Sequence, residues 1–409
     1  MKIVDFGMNG EGVAKEYGKV FFVDGALSDE EVDVEIVKEN SKFVLAKAKK
    51  IIKKSEFRVE SPCPYFQICG GCDLQHLCYE KQLEFKQNLV KNTIKKIANI
   101  DQKVQKTVAS NNIYNYRIKN VFPAMDKKVG MFKKNSKELI EINECKIAND
   151  ETNKILQLCN KSIDKDLKYL VVQNGVVSLV VDNEKADISK IENVLSLNNI
   201  PYNINVNKEI NKRILSTHFI HKTDKVIYKK MLNVEYETNI GCFEQINEDI
   251  KQKIYSKVLE NINSSDIVLD AFCGSGLLSA IIAKKCKKCV GVEIYQPAIV
   301  NAKNLAKQNK INNLFFMCGD CVDVVPQLRE RFSTVILDPP RSGCGEKVIE
   351  SVLKIRPQKI IYISCNPISL AKELKLLSSD YKISLVVPFD MFPQTKRIET
   401  LCILEYANC

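Results

Sequence analysis

From residue 240 onward, short apolar runs alternate with amphipathic ones, and this alternation constrains the fold more than any other feature of the chain. Residues 267–271, 288–293, 314–317, 334–337, 359–364 and 384–388 read as strands rich in β-branched residues. Residues 276–285, 296–308, 347–353 and 367–377 read as helices between them. Strand–helix–strand repetition yields a mostly parallel sheet with helices on both faces. The expected fold class is α/β, with a Rossmann-like doubly wound domain over residues 241–409.

The chain before it reads differently. Residues 1–56 form short strand patterns at 19–23, 32–38 and 42–48, punctuated by Gly7, Gly10, Gly12, Gly18 and Gly25. This suggests a small OB-like β-barrel. Its end is basic: Lys42, Lys47, Lys49, Lys50, Lys53, Lys54 and Arg58 accompany a single acid, Glu56. Such a strip is either a solvated charged strand or a contact for an RNA backbone. Residues 57–240 read as a central α+β domain that opens with a cysteine turn and a long helix over residues 74–97, placed to pack on the last domain. Within it, Tyr114, Tyr116, Arg117, Lys119, Lys133 and Lys134 are either RNA-facing or ordinary sheet and loop residues.

Composition narrows the setting. Lys and Arg number 61 against 50 Asp and Glu, a net charge of +11, which suits nucleic-acid binding without demanding it. No apolar run approaches the roughly 20 residues of a membrane span, and no secretory leader is visible at Met1. The expected location is the cytoplasm. Sixteen cysteines there point to metal or catalysis rather than disulfides. Cys159, Cys286, Cys289, Cys402 and Cys409 are scattered and read as inert, whereas the cluster from Cys63 to Cys72 and Cys365 stand out.

Asp270-Ala-Phe-Cys-Gly274-Ser-Gly276 follows a strand and opens a helix, so its glycines let the backbone approach a ligand. Glu293 ends the next strand, where a carboxylate can accept both ribose hydroxyls of an adenosine. NAD and S-adenosylmethionine both meet these requirements. Ser279 holds the place of the third glycine that a pyrophosphate would want, and Asp320 follows the third strand, where an acid can bond adenine. Both details favour S-adenosylmethionine. Asp338-Pro-Pro-Arg341 ends another strand in an extended turn that can face a substrate base.

Ser364-Cys365-Asn366-Pro367 joins a strand to a helix, and a thiol there is expected to be lowered toward neutrality by the helix N-terminus. A thiolate beside a methyl donor suits carbon 5 of uracil. Addition of the thiolate at carbon 6 makes carbon 5 nucleophilic, and a base must then remove the carbon-5 proton. The three histidines, His76, His218 and His221, all precede the α/β domain, so a carboxylate is the better base, and Glu399 is the candidate.

The motifs FCGSG, DPPRSGCG, SCNP and MFPQTKRIE together resemble the RNA (uracil-5-)-methyltransferase family over the whole chain, with residues 1–56 similar to its N-terminal TRAM barrel. The resemblance implies a class I methyltransferase domain, Cys365 as nucleophile and Glu399 as base. It implies cofactor contacts at Gln245, Phe272, Glu293, Asp320 and Asp338, beside the motif glycines Gly274 and Gly276. Gln394 and Arg397 stand where family members commonly carry histidines, which leaves any histidine role unfilled but spares Glu399. Arg341 holds the place where cytosine-5 enzymes usually carry a cysteine, which argues for uracil.

Cys63-Pro-Tyr-Phe-Gln-Ile-Cys69-Gly-Gly-Cys72 packs three thiols into one turn. Zinc and iron–sulfur clusters both use such sets, and zinc would recruit His76 or Cys78 nearby. The resemblance is to the ribosomal-RNA subgroup, which implies Cys145 as a fourth ligand of a 4Fe–4S cluster. The expected function is therefore 5-methyluridine formation in 23S rRNA by a monomer. The alternatives are the same chemistry on tRNA and a non-catalytic RNA-binding protein that kept the fold.

Overall fold

The computed structural model describes residues 1–210, 213–220, 225–240 and 244–407. His221, Cys409 and Phe243 lie outside them. The N-terminal sheet contains Asp5–Phe6, Gly12–Glu16, Lys19–Asp24, Glu31–Glu39 and Phe43–Lys53, with the fifth strand between the third and fourth. A bridge between Lys2 and Glu31 joins its two edges, so the sheet closes on itself. Ile3, Ala14, Phe21, Val23, Val32 and Val44 fill its centre.

The basic strip needs one correction. Arg58 does not face solvent: its guanidinium bonds both carboxylate oxygens of the fully buried Glu30 and the carbonyl of Gly25. Burial opposes the charge on Glu30, yet Arg58 and the backbone of Leu27 and Ser55 hold its carboxyl below the ordinary value. Arg58 therefore seals the base of the barrel, where a buried carboxylate requires a partner.

The central region is built on a seven-stranded sheet that includes Lys119–Met125, Lys128–Phe132, Tyr169–Gln173, Val176–Val181 and Tyr202–Val206. The helices Asp150–Cys159 and Ser189–Leu197 contribute Ile155, Leu156, Ile191 and Leu195 to its core. The long helix begins at Tyr79 rather than residue 74 and ends in a π turn, Ile94–Ala98. The backbone before it is committed elsewhere: the Leu74 N–H donates to Gln394 and the Cys78 N–H to Phe57. Val90, Ile94 and Ala98 pack into the core of the C-terminal sheet.

That last sheet comprises β1 (Ile267–Ala271), β2 (Lys288–Glu293), β3 (Leu314–Cys318), β4 (Thr334–Leu337), β5 (Lys359–Ser364), β6 (Tyr381–Phe389) and β7 (Glu399–Tyr406). Their order is β3-β2-β1-β4-β5-β7-β6. The first five are parallel, while β7 runs antiparallel between β5 and β6. The sequence reading lacked β7. Its residues are almost all buried and carry no alternation, so they do not display the half-buried strand pattern. The switch in strand order beside β1 places the loops after β1, β2 and β4 around one crevice, where open α/β sheets bind ligands.

Candidate active site

The turn after β1 is shaped by backbone conformation. Phe272, Gly274 and Gly276 all have positive φ, at +68°, +53° and +77°. A Cβ on Gly276 would meet Phe316 and Ala302 at 2.7 and 2.8 Å, so this glycine is needed for packing. A Cβ on Gly274 would meet nothing within 4 Å, so it faces open space. Glu293, at the end of β2, closes the turn by accepting from the N–H groups of Gly274 (3.2 Å) and Tyr295 (2.9 Å). Ser279, in the place of a third glycine, donates its hydroxyl to the buried Asp270. Burial, opposed by that bond and reinforced by Glu293, pushes the Asp270 carboxyl up to about 7.

The remaining cofactor candidates differ in how free they are. Gln245 has a buried Oε1 with no hydrogen-bond partner among the described residues, the kind of orphan that a ligand donor satisfies. Asp320 is exposed and caps the short helix Cys321–Val324 through the Val322 N–H at 2.9 Å. Asp338, just after β4, is pushed up to about 7 by burial and the charge of Asp270.

Cys365 follows β5 directly, and Glu399 opens the neighbouring β7, where Ser364 pairs with Thr400. The two side chains interact electrostatically, and Asp338 joins them. The thiol is not lowered as the sequence suggested. Asn366, not Cys365, caps the helix Pro367–Leu377, accepting from the Ile368 N–H at 3.1 Å. Burial comes first, then the carboxylates of Glu399 and Asp338, in pushing Cys365 up to about 11, opposed by Arg341. Burial and Asp338 also raise Glu399 well above the carboxylate range, and no hydrogen bond from the described residues holds its carboxyl.

Around this pair stand cations that sequence reasoning did not assign to the site. Arg341 acts on Cys365, and burial with the charges of Arg341 and Arg117 lowers Arg397. Two guanidinium groups, those of Arg341 and Arg397, therefore act on the thiol, a setting suited to phosphate. Other expected RNA contacts are spoken for. Tyr116 is buried and donates to Pro393, while Lys133 and Lys134 pair with Glu138 and Asp24.

Cys63, Cys69, Cys72 and Cys145 line one cavity of about 50 Å³. Cys145 is fixed by Asn153, which accepts its N–H at 2.9 Å and donates to its carbonyl at 3.1 Å. Burial chiefly raises the thiols of Cys63, Cys69 and Cys72, Cys69 up to about 11, and each also feels Cys145. His76 and Cys78 are not among the residues lining this cavity. Among the described residues, no three His, Cys, Asp or Glu side chains converge closely enough to hold a single ion.

Comparison with known proteins gives this arrangement a family. The model of the tRNA (uracil-5-)-methyltransferase family matches residues 78–320 and 325–407. The chain belongs to this family. An uncharacterized RNA methyltransferase of Listeria innocua is 33% identical, the match covering 98% of this chain and 95% of the relative. One from Clostridium tetani is 32% identical, with 99% and 95% covered. The solved Pyrococcus abyssi tRNA (uracil-54, C5)-methyltransferase, in complex with S-adenosyl-L-homocysteine, is similar over 98% of both chains, with a TM-score of 0.79 and 26% identity. The mixed α/β fold, with an N-terminal β sheet and a Rossmann-like sheet, agrees with that likeness. No helix among the described residues is long and apolar enough to cross a membrane.

Proposed function

We propose that this member of the family methylates carbon 5 of a uridine in RNA, with S-adenosylmethionine as methyl donor. The observation that carries the reading is the meeting of Cys365 with Glu399 and Asp338 at the ends of β5, β7 and β4. Gln245 with its orphan oxygen, the open space at Gly274 and the acid at Glu293 fit the donor's amino acid and ribose ends. Phe272, Gly276, Asp320 and Asp338 complete that proposed set, Asp320 with the oxygen its helix cap leaves over. The donor supplies an electrophilic methyl group on sulfur.

The chain's residues do the rest. The Cys365 thiolate adds to carbon 6 of the uracil, and the displaced electron pair makes carbon 5 nucleophilic. Carbon 5 takes the methyl group. The Glu399 carboxylate then accepts the carbon-5 proton, the carbon 5–carbon 6 double bond re-forms, and the carbon–sulfur bond breaks to release the thiolate. A carboxyl raised above its ordinary range is a stronger base for that carbon-bound proton. The raised thiol is protonated when the site is empty, so its proton must pass to the uracil or to water as the sulfur adds, which leaves the Glu399 carboxylate free for the carbon-5 proton.

The substrate within this reading is 23S rRNA. Its support is the cavity lined by Cys63, Cys69, Cys72 and Cys145, a four-thiol donor set of the kind that a 4Fe–4S cluster uses. Those four thiolates would hold the cluster, which would cross-link the turn to the sheet and carry electrons if redox-active. A second reading is tRNA, favoured by the family model's description and by the Pyrococcus abyssi structure. Methyl transfer to unmodified 23S rRNA and to unmodified tRNA, with the modified nucleotide mapped, separates them. Cys365→Ala should give no product and no covalent RNA adduct. Glu399→Gln should transfer the methyl group, then stall as a labelled protein–RNA adduct. A fully active Cys365→Ala overturns the mechanism.

A further inference from the structure

Glu399 is reached through residues 390–398. Met391 and Ile398 pack this segment into the cores of its own sheet, while its backbone and polar side chains are held by the central region. The carbonyl of Gln394 accepts from the N–H groups of Asp73 (3.0 Å) and Leu74 (2.9 Å). The amide side chain of Gln82 donates to Gln394 Oε1 at 3.0 Å and accepts from the Gln394 N–H at 3.1 Å. Asp73 accepts from the Lys396 N–H at 3.2 Å. Lys86 pairs with Asp390 and donates to the Phe392 carbonyl at 3.0 Å. The Tyr116 hydroxyl donates to the Pro393 carbonyl at 3.0 Å.

Two features show that these contacts impose a conformation. Gln394 adopts φ +69°, a left-handed backbone that a non-glycine residue keeps only when its surroundings enforce it. Gln82, Lys86, Asp390 and Gln394 are all essentially without solvent exposure, so each lost partner leaves a buried polar group unpaired. Gln82 also donates to the carbonyls of Leu74 and Leu77, which ties the clamp to the segment just after Cys72.

We propose that Gln82, Lys86 and Tyr116 are positioning residues for Glu399, and that they set the step in which the carbon-5 proton leaves. The inference rests on Glu399 being the base. Cys365 follows β5 and the cofactor turn follows β1, and neither is reached through residues 390–398. Loosening the clamp should therefore spare thiolate addition and methyl transfer and slow only proton removal and release of the thiolate.

The test uses the full-length protein, with its metal content measured, in single-turnover reactions with unmodified RNA and methyl-labelled S-adenosylmethionine. Gln82→Met removes the hydrogen bonds at similar volume. Tyr116→Phe removes one hydroxyl and keeps the buried ring, so it decides the matter if Gln82→Met does not fold. The expected result is a normal rate of methyl transfer with release slowed about fivefold or more per lost bond, seen as a labelled, denaturant-stable protein–RNA adduct. Wild-type release in Tyr116→Phe, or methyl transfer falling in step with release and no adduct, overturns the inference. Glu399→Gln is run beside them. If it traps an adduct and the clamp variants do not, only this inference fails; if it traps none, the base assignment fails and takes this inference with it.

Discussion

The side-chain amide of Asn366 donates to the backbone carbonyl of Arg341 at 3.0 Å, joining the loop after β5 to the loop after β4. The same side chain caps the helix Pro367–Leu377 with its oxygen. One residue thus orients the loops that carry Cys365 and Asp338. Asn366→Asp keeps the capping oxygen and loses the donor, whereas Asn366→Ala loses both. Asn366→Ala should cost about 1 kcal/mol of stability through the cap. Asn366→Asp should fold as stably as the parent and still lose turnover, which thermal melts paired with methyl-transfer rates will resolve.

A thiol pushed up to about 11 should react slowly at neutral pH. Alkylation of Cys365 by iodoacetamide, followed by peptide mass spectrometry, should rise about tenfold for each pH unit between about 7 and 9. The sign follows from the shift: below the raised value the protonated thiol dominates, so each added unit multiplies the thiolate. A rate that is already flat above pH 7 would mean a thiolate in the free protein.

The two motif glycines should fail in different ways. Both have positive φ, so alanine costs about 1–2 kcal/mol at either position. At Gly276 the new methyl also collides with Phe316 and Ala302, so Gly276→Ala should melt markedly lower or fail to fold. At Gly274 the methyl enters open space, so Gly274→Ala should keep its fold and lose affinity for S-adenosylhomocysteine. Calorimetric titration beside a melting curve reads both. Equal affinity in Gly274→Ala and the parent would place the donor elsewhere.

The cysteine cavity predicts metal content. Anaerobically purified protein should carry about four irons, with broad visible absorption. Cys145→Ser should lose the iron, because Cys145 lines the cavity, and Cys78→Ser should keep it, because Cys78 does not. Stoichiometric zinc without iron would sink the cluster, as would iron unaffected by Cys145→Ser. Removal of the iron with a chelator is expected to lower thermal stability, since the cross-link between the turn and Cys145 is lost and burial keeps the freed thiols of Cys63, Cys69 and Cys72 protonated.

Much of the α/β domain was legible in the chain because its signals are local. β1, β2, β4 and β5 are continuous apolar runs bounded by turn residues, and the helices Gln296–Gln308 and Pro367–Leu377 begin and end where the sequence marks them. The glycine turn, the acid ending β2 and the cysteine between β5 and a helix are read within a few residues of each other. Cys145 came only through a family resemblance, since nothing in its own neighbourhood marks it as a partner of Cys63.

What the sequence determined by itself is the set of local conformations and the chemistry that each carries: which segments are strands, where a backbone can turn tightly, which side chains are nucleophiles or acids. The tertiary structure alone decided how those groups act on one another. Burial and the nearness of Glu399 and Asp338 reversed the expected shift of Cys365, because a thiolate is disfavoured among carboxylates whatever helix follows it. Arg58 became the partner of the buried Glu30 rather than a free cation. Gln82 and Gln394, distant along the chain, became one clamp. Electrostatic shifts and buried hydrogen bonds depend on distances through space, and a linear order of residues contains those distances only once the chain has folded.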